Sequence, residues 1–262
     1  MKTFKYILGI ILACSTLLGI AGTIDPLTDD SKYIEYGKKF KYVYKLCGVS
    51  KTNEMFCGSC VAIGPRWALT AAHVIDDVKI CGISEEANKQ TILALETFSH
   101  EDYNKDFGYG DIGLVYLSKD LDLDFYPELY SKEDEVGKLC CISGYGLTGT
   151  FLTGQIKSDQ YRRAGSNIID KVDRHLLICS PSPSIRSGRT QLEFLIASGD
   201  SGGGLFIDGK LAGINSCVMH NTGQQRSTYN NEAGHTRVSK YVKWIKKTMS
   251  SKEITLELPK NN

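Results

Sequence analysis

Residues 198–214 read Ser-Gly-Asp-Ser-Gly-Gly-Gly-Leu-Phe-Ile-Asp-Gly-Lys-Leu-Ala-Gly-Ile. The first half, centred on Ser201, has the G-x-S-x-G spacing that elsewhere marks a sharp turn from a strand into a helix. The second half argues against a helix. Leu205-Phe206-Ile207 and Leu211-Ala212-Gly213-Ile214 are short apolar runs joined through Asp208-Gly209. That dipeptide accepts the positive φ angles of a tight hairpin turn. A glycine-rich serine turn that opens into a hairpin belongs to a β-fold.

The flanking sequence agrees. Tyr42-Val43-Tyr44-Lys45-Leu46, Trp67-Ala68-Leu69-Thr70 and Ile112 to Leu117 are short and strand-like, and Cys60-Val61-Ala62-Ile63 is closed by a Gly64-Pro65 turn. A helical period appears only near the end, where Val238, Tyr241, Val242, Ile245 and Met249 fall on one face. The expectation is an all-β chain with a C-terminal helix and a loose tail over 251–262. With 26 glycines against 6 prolines, many tight turns are expected, as in such a fold.

Lys+Arg 31 against Asp+Glu 30 gives no electrostatic reason to expect nucleic acid or an acidic membrane as partner. Charged residues at 23% argue against disorder. At the start, Lys2 and Lys5 precede an apolar run from Tyr6 to Leu18, and Gly19, Ile20, Ala21 and Gly22 follow it. This is the pattern of a secretory signal peptide over residues 1–22. The run is short for a membrane span of about 20 residues, so no membrane association is expected after its removal. Removal takes Cys14 and leaves Cys47, Cys57, Cys60, Cys81, Cys140, Cys141, Cys179 and Cys217. In an exported chain, an even number reads as a disulfide set.

Three segments carry chemistry: Leu69-Thr70-Ala71-Ala72-His73-Val74, Gly110-Asp111-Ile112-Gly113-Leu114, and Gly199-Asp200-Ser201-Gly202-Gly203. Each alone is ambiguous. Together they supply a base, an orienting acid and a nucleophile. A serine hydroxyl attacks a carbonyl only if a neutral imidazole takes its proton, and the imidazole needs a carboxylate to fix its tautomer and stabilise the imidazolium. The glycines let the backbone approach the substrate and free main-chain N–H groups, those of Gly199 and Ser201, to hold an oxyanion. The order His73, Asp111, Ser201 excludes the Ser–acid–His order of α/β-hydrolases, and with it a lipase or esterase of that kind.

In these segments and their order, the chain resembles the chymotrypsin/trypsin-like serine endopeptidases. Phe56-Cys57-Gly58, Ile142-Ser143-Gly144-Tyr145-Gly146 and Tyr241-Val242-Lys243-Trp244-Ile245 extend the likeness over roughly Tyr33 to Met249. The resemblance implies two six-stranded antiparallel β-barrels, residues 33–128 and 129–250 with the helix, and a triad in the cleft between them. It implies peptide-bond hydrolysis through an acyl-enzyme, with protein or peptide substrates and protease inhibitors as partners of a monomer. No metal or organic cofactor is called for.

In the resembling family a newly released N-terminal amine pairs with the aspartate before the serine, here Asp200. Thr23–Lys32 is acidic and ends in a lysine, which makes it a candidate pro-segment. Cleavage after Lys32 would give Tyr33, and cleavage after Tyr33 would give Ile34. Alignment on the serine puts Leu195 at the pocket floor, with Ile196 beside it and Ser216 and Val218 on the wall. No carboxylate is there to meet Arg or Lys, so a shallow apolar pocket for small or medium aliphatic side chains is expected. The cysteines depart from the family: the position after His73 is Val74, the partner position for Cys140 is Ile207, and no upstream partner for Cys179 is found, so other bridges replace the common ones or some thiols stay free. The expected function is a secreted serine endopeptidase that is not Arg/Lys-specific. The alternative is a non-catalytic homologue that uses the fold to bind.

Overall fold

The protein is described here by a computed structural model that covers residues 22–85, 90–105, 108–157, 159–183, 188–219 and 226–257. The expected signal peptide lies outside the described residues except for Gly22, and so do residues 258–262 of the expected tail.

The chain enters at a two-residue strand, β1 (Thr23–Ile24), and passes to helix α1 (Asp30–Gly37). Asp29 caps α1 by accepting the Ser31 N–H at 2.8 Å, which satisfies one of the donors a helix start leaves unpaired. The first barrel follows: β2 (Val43–Ser50), β3 (Met55–Gly64), β4 (Trp67–Thr70), the short helix α2 (Ala72–Ile75), β5 (Val78–Ser84), β6 (Ile92–Ser99) and β7 (Gly113–Leu117). Its six strands close in the order β2-β3-β4-β7-β6-β5. Leu46, Val61, Leu69, Ile83 and Leu114 fill it, all fully buried.

The second half contains β8 (Leu139–Gly144), β9 (Thr148–Thr150), β10 (Gly154–Lys157), β11 (Arg163–Asp173), β12 (Leu176–Cys179), β13 (Phe194–Leu195), β14 (Gly204–Ile207), β15 (Lys210–Met219) and β16 (Glu232–Arg237). Six of these close a second barrel, β11-β12-β16-β15-β14-β8, and a separate four-stranded sheet runs β10-β9-β1-β13. Every strand pair in both barrels is antiparallel. The hairpin read from residues 205–214 is β14 and the start of β15. Its turn residues Asp208 and Gly209 have φ of 49° and 76°, the left-handed pair that matches strand twist. A single 3₁₀ turn (Val238–Lys240) leads to helix α3 (Val242–Glu257); Val238 of the turn and Ile245 of the helix are fully buried and dock this end of the chain. The helix continues past residue 250, where the tail was expected to begin.

The expected cleavage boundary Lys32–Tyr33 falls inside α1, and Tyr33 is fully buried. Residues 23–32 are built into the second half: β1 is paired on both sides, and Asp30 holds the fully buried Arg163 of β11 through two bonds of 2.6 and 2.5 Å. Asp159 holds the same guanidinium at 2.8 and 2.6 Å. Residues 30–37 thus pack with the second barrel, ahead of the first in sequence. Among the described residues the cysteines form one bridge, and the alternative in which some thiols stay free is the one observed. Cys47 and Cys57, directly opposite on β2 and β3 with Cα atoms 4.2 Å apart, are bridged. Cys60, Cys81, Cys140, Cys141, Cys179 and Cys217 are free thiols among the described residues. Four of these are buried in the cores, where a thiol packs as a small apolar group; burial pushes the Cys81 thiol up to about 12.

Candidate active site

The first barrel carries His73 and Asp111, the expected base and acid. β4 ends at Thr70, and α2 begins at Ala72, so His73 is lifted to the barrel rim on the first turn of a helix. Asp111 precedes β7 and is 2% exposed. Its carboxylate accepts from the His73 backbone N–H at 2.9 Å and lies 3.1 and 2.9 Å from the ring Nδ1. A carboxylate that holds both backbone and ring fixes the imidazole's orientation and keeps the proton on Nδ1, which leaves Nε2 free to act as base. The second barrel closes on the same aspartate. Ser216 Oγ donates to Asp111 Oδ2 at 2.5 Å, and Thr236 Oγ1 donates to its main-chain carbonyl at 2.9 Å. Burial alone would push this carboxyl up; the hydrogen bond and charge of His73, with the Ser216 hydroxyl, outweigh it and hold Asp111 below the usual carboxylate range.

Ser201 comes from the second barrel, on the turn just before β14. Its position depends on the first barrel: Ser59 of β3 donates its N–H to the Ser201 carbonyl at 2.8 Å and its hydroxyl to the Gly199 carbonyl at 2.9 Å. The same hydroxyl accepts the Tyr145 N–H at 2.9 Å. The peptide planes that carry the Gly199 and Ser201 N–H groups, the expected oxyanion donors, are tied through their own carbonyls: that of Ser198 accepts the Leu147 N–H at 2.6 Å and that of Asp200 the Gly203 N–H at 2.8 Å. The Asp200 side chain turns inward and is fully buried. It accepts from the N–H groups of Gly146 and Ala197, each at 2.8 Å, and from Gly22. Burial nonetheless pushes its carboxyl up to about 7 against those three donors.

His73 and Ser201 line two adjoining hollows. One, of about 230 Å³, is bounded by Ser50, Phe56, Cys57, Val74 and Asp77. The other, of about 270 Å³, is bounded by Gln155, Ile196, Ala197, Ser198, Ser216, Cys217, Val218 and Arg226. Of the residues expected in the specificity pocket, Ile196, Ser216 and Val218 are on this wall. Leu195 is not: it is fully buried in β13 opposite Thr23, so the expected floor residue is covered by strand pairing. Ser216 has a second role, on Asp111, that alignment with the serine did not reveal. Sequence reading missed Ser59, Gln155 and Arg226. No local motif marks them; tertiary contacts alone bring them to the cleft.

A trypsin family model matches residues 37–245. The chain is 29% identical to trypsin I-P1 of Gallus gallus over 215 residues, which cover 75% of this chain and 80% of that protein. It is 32% identical to a chymotrypsin of Phaedon cochleariae over 210 residues, 72% of this chain and 70% of that one. Among solved structures, neuropsin, a serine protease of mouse brain, superposes with a TM-score of 0.63 at 22% identity, covering 80% of this chain and 95% of its own. Twin antiparallel barrels, the residue order in the cleft and a family match across most of its length together mean that this chain belongs to the trypsin family.

Proposed function

We propose that the protein is a secreted serine endopeptidase. Ser201 is the nucleophile, His73 the general base and acid, and Asp111 the residue that orients His73. The observation that carries the reading is the double grip of Asp111 on His73, ring and backbone, beside a cleft that His73 shares with Ser201. In the first half-reaction His73 Nε2 takes the Ser201 proton as Oγ attacks the peptide carbonyl. The N–H groups of Gly199 and Ser201 meet the oxyanion, and the imidazolium returns its proton to the departing amine. Water then repeats the sequence on the acyl-enzyme.

The cleft argues for uncharged side chains at the bond cleaved. Ile196 and Val218 narrow it, and among the described residues that line it no carboxylate is present to pair with Arg or Lys. In a peptide library, cleavage after small or medium aliphatic residues is expected; efficient cleavage after Arg or Lys would refute this specificity. The activity itself is tested by labelling with a fluorophosphonate. Label that disappears in Ser201→Ala supports the enzyme. A folded protein that takes no label favours the non-catalytic binding homologue.

A further inference from the structure

The peptide unit between Ser198 and Gly199 carries one of the two expected oxyanion donors, the Gly199 N–H. Gly199 has φ of 93°, and a glycine beside a peptide unit lets that unit rotate at low cost. The direction of this N–H therefore depends on what holds Ser198. Packing does not, because Ser198 is exposed. Hydrogen bonds do, one on each side of the residue. The Ser198 carbonyl accepts the Leu147 N–H at 2.6 Å, which restrains the unit that carries the Gly199 N–H. The Ser198 N–H and hydroxyl both donate to Gln155 Oε1, at 3.0 and 3.1 Å, which restrains the unit before it. The orientation of the Gln155 amide is forced, since a backbone N–H can be met only by its oxygen.

Gln155 belongs to neither barrel. It lies on β10, the edge strand of the sheet β10-β9-β1-β13, opposite Gly149 of β9. A Cβ on Gly149 would fall 1.8 Å from the Gly154 carbonyl oxygen, so the missing side chain lets β10 lie close against β9. On its other side the Gln155 N–H donates to the Arg226 carbonyl at 3.4 Å. With its backbone tied on both sides, Gln155 reaches into the wall of the hollow that His73 and Ser201 share. We propose that Gln155 is a positioning residue for the reaction: by holding Ser198 it keeps the Gly199 N–H aimed at the oxyanion. Without it, Ser198 is held at its carbonyl alone, and rotation about its own φ and ψ turns the Gly199 N–H out of line. The loss falls on the transition state, where the oxyanion exists, and spares the ground-state complex. The proposal rests on the peptidase reading for its kinetic readouts; the hold on Ser198 does not depend on it.

The test compares the full chain, produced by secretion from a eukaryotic host, with its Gln155→Met variant, which keeps the length and packing of the side chain but cannot accept. Removing an oxyanion donor outright costs about 10²–10³-fold in kcat, so misaiming one should lower kcat by about ten- to hundredfold. KM should stay within about twofold, and the melting temperature should not change. A peptidyl trifluoromethyl ketone, whose hemiketal oxyanion occupies the same donors, should bind more weakly by the same factor as kcat falls. Amide hydrogen exchange at Ser198 should quicken by about tenfold. Gln155→Glu, whose carboxylate can accept the same N–H, should restore slow exchange. Unchanged kcat, a loss carried by KM with ketone binding intact, a loss that comes with a lower melting temperature, or unchanged Ser198 exchange overturns the proposal. If the unmodified chain takes no fluorophosphonate label, the peptidase reading fails on its own, and faster Ser198 exchange in Gln155→Met still supports the hold of Gln155 on the turn.

Discussion

Ser216 binds Asp111 from the opposite barrel, so its hydroxyl is a positioning group for the acid that orients His73. In Ser216→Ala the His73 bonds to Asp111 remain, but the carboxylate loses one donor and its pKa rises toward the ordinary value. A hydrogen bond to a charged group is worth roughly 1.5–3 kcal/mol. The expected outcome is a fall in kcat of about tenfold with KM little changed, the mark of an interaction that matters in the transition state. His73→Ala and Ser201→Ala should each cost about 10⁴-fold or more in kcat, and the double variant little beyond either, because the residues act as a unit. Steady-state kinetics on one uncharged peptide substrate reads all of these. Ser59→Ala releases the Gly199 carbonyl and the Tyr145 N–H together, so it should lower kcat and stability at once.

At the scale of elements, two ties invite measurement. The Cys47–Cys57 bridge closes a short loop between neighbouring strands of the first barrel. Replacing both with serine removes a restraint on the unfolded chain worth about 2–3 kcal/mol, and the melting temperature should fall by several degrees. The second tie holds α1 to β11 through Arg163. Arg163→Ala leaves the Asp30 and Asp159 carboxylates, both partly solvated, facing a cavity where the guanidinium was. Losing one partner of a buried charge pair costs about 3–5 kcal/mol, and the solvation of these carboxylates puts the expected loss at the low end. Urea unfolding of the two variants separates the barrel-one effect from the barrel-two effect.

For the whole molecule, pH is the informative variable. Asp200 faces N–H groups from three places, Gly22 before β1, Gly146 after β8 and Ala197 after β13, and it feels the charge of Arg163 on β11. Its carboxyl, pushed up to about 7, holds a proton in the folded state that the unfolded chain has already released above its ordinary value near ~4. Stability therefore falls as pH rises through that window, and the melting temperature should decline between about pH 4 and 7, read by thermal unfolding across that range. An unchanged melting temperature in Asp200→Asn across the same range would assign the decline to this carboxyl.

Much of this molecule is legible in local sequence, because the relevant constraints are local. Asp208-Gly209 sets a hairpin through backbone φ, alternating apolar runs mark strands, and the order His73, Asp111, Ser201 is a property of the chain. Those features determined the β-fold, the barrels by resemblance, and the residues that meet in the cleft. Contacts between distant segments decided the rest. Gly22 reads in sequence as the end of a leader and Thr23–Lys32 as a pro-segment; only the fold shows β1 paired with β9 and β13 and Asp30 on Arg163. Leu195 aligns with the pocket floor, yet its pairing with Thr23 buries it. Eight cysteines suggest bridges, but a disulfide needs two Cα atoms within about 7 Å and correctly aimed Cβ atoms, and only Cys47 and Cys57 are so joined among the described residues. Sequence determined which chemical groups this protein owns; tertiary structure decided which of them face each other, because burial and pairing depend on neighbours that may lie two hundred residues away, as Ser227 does from Thr23.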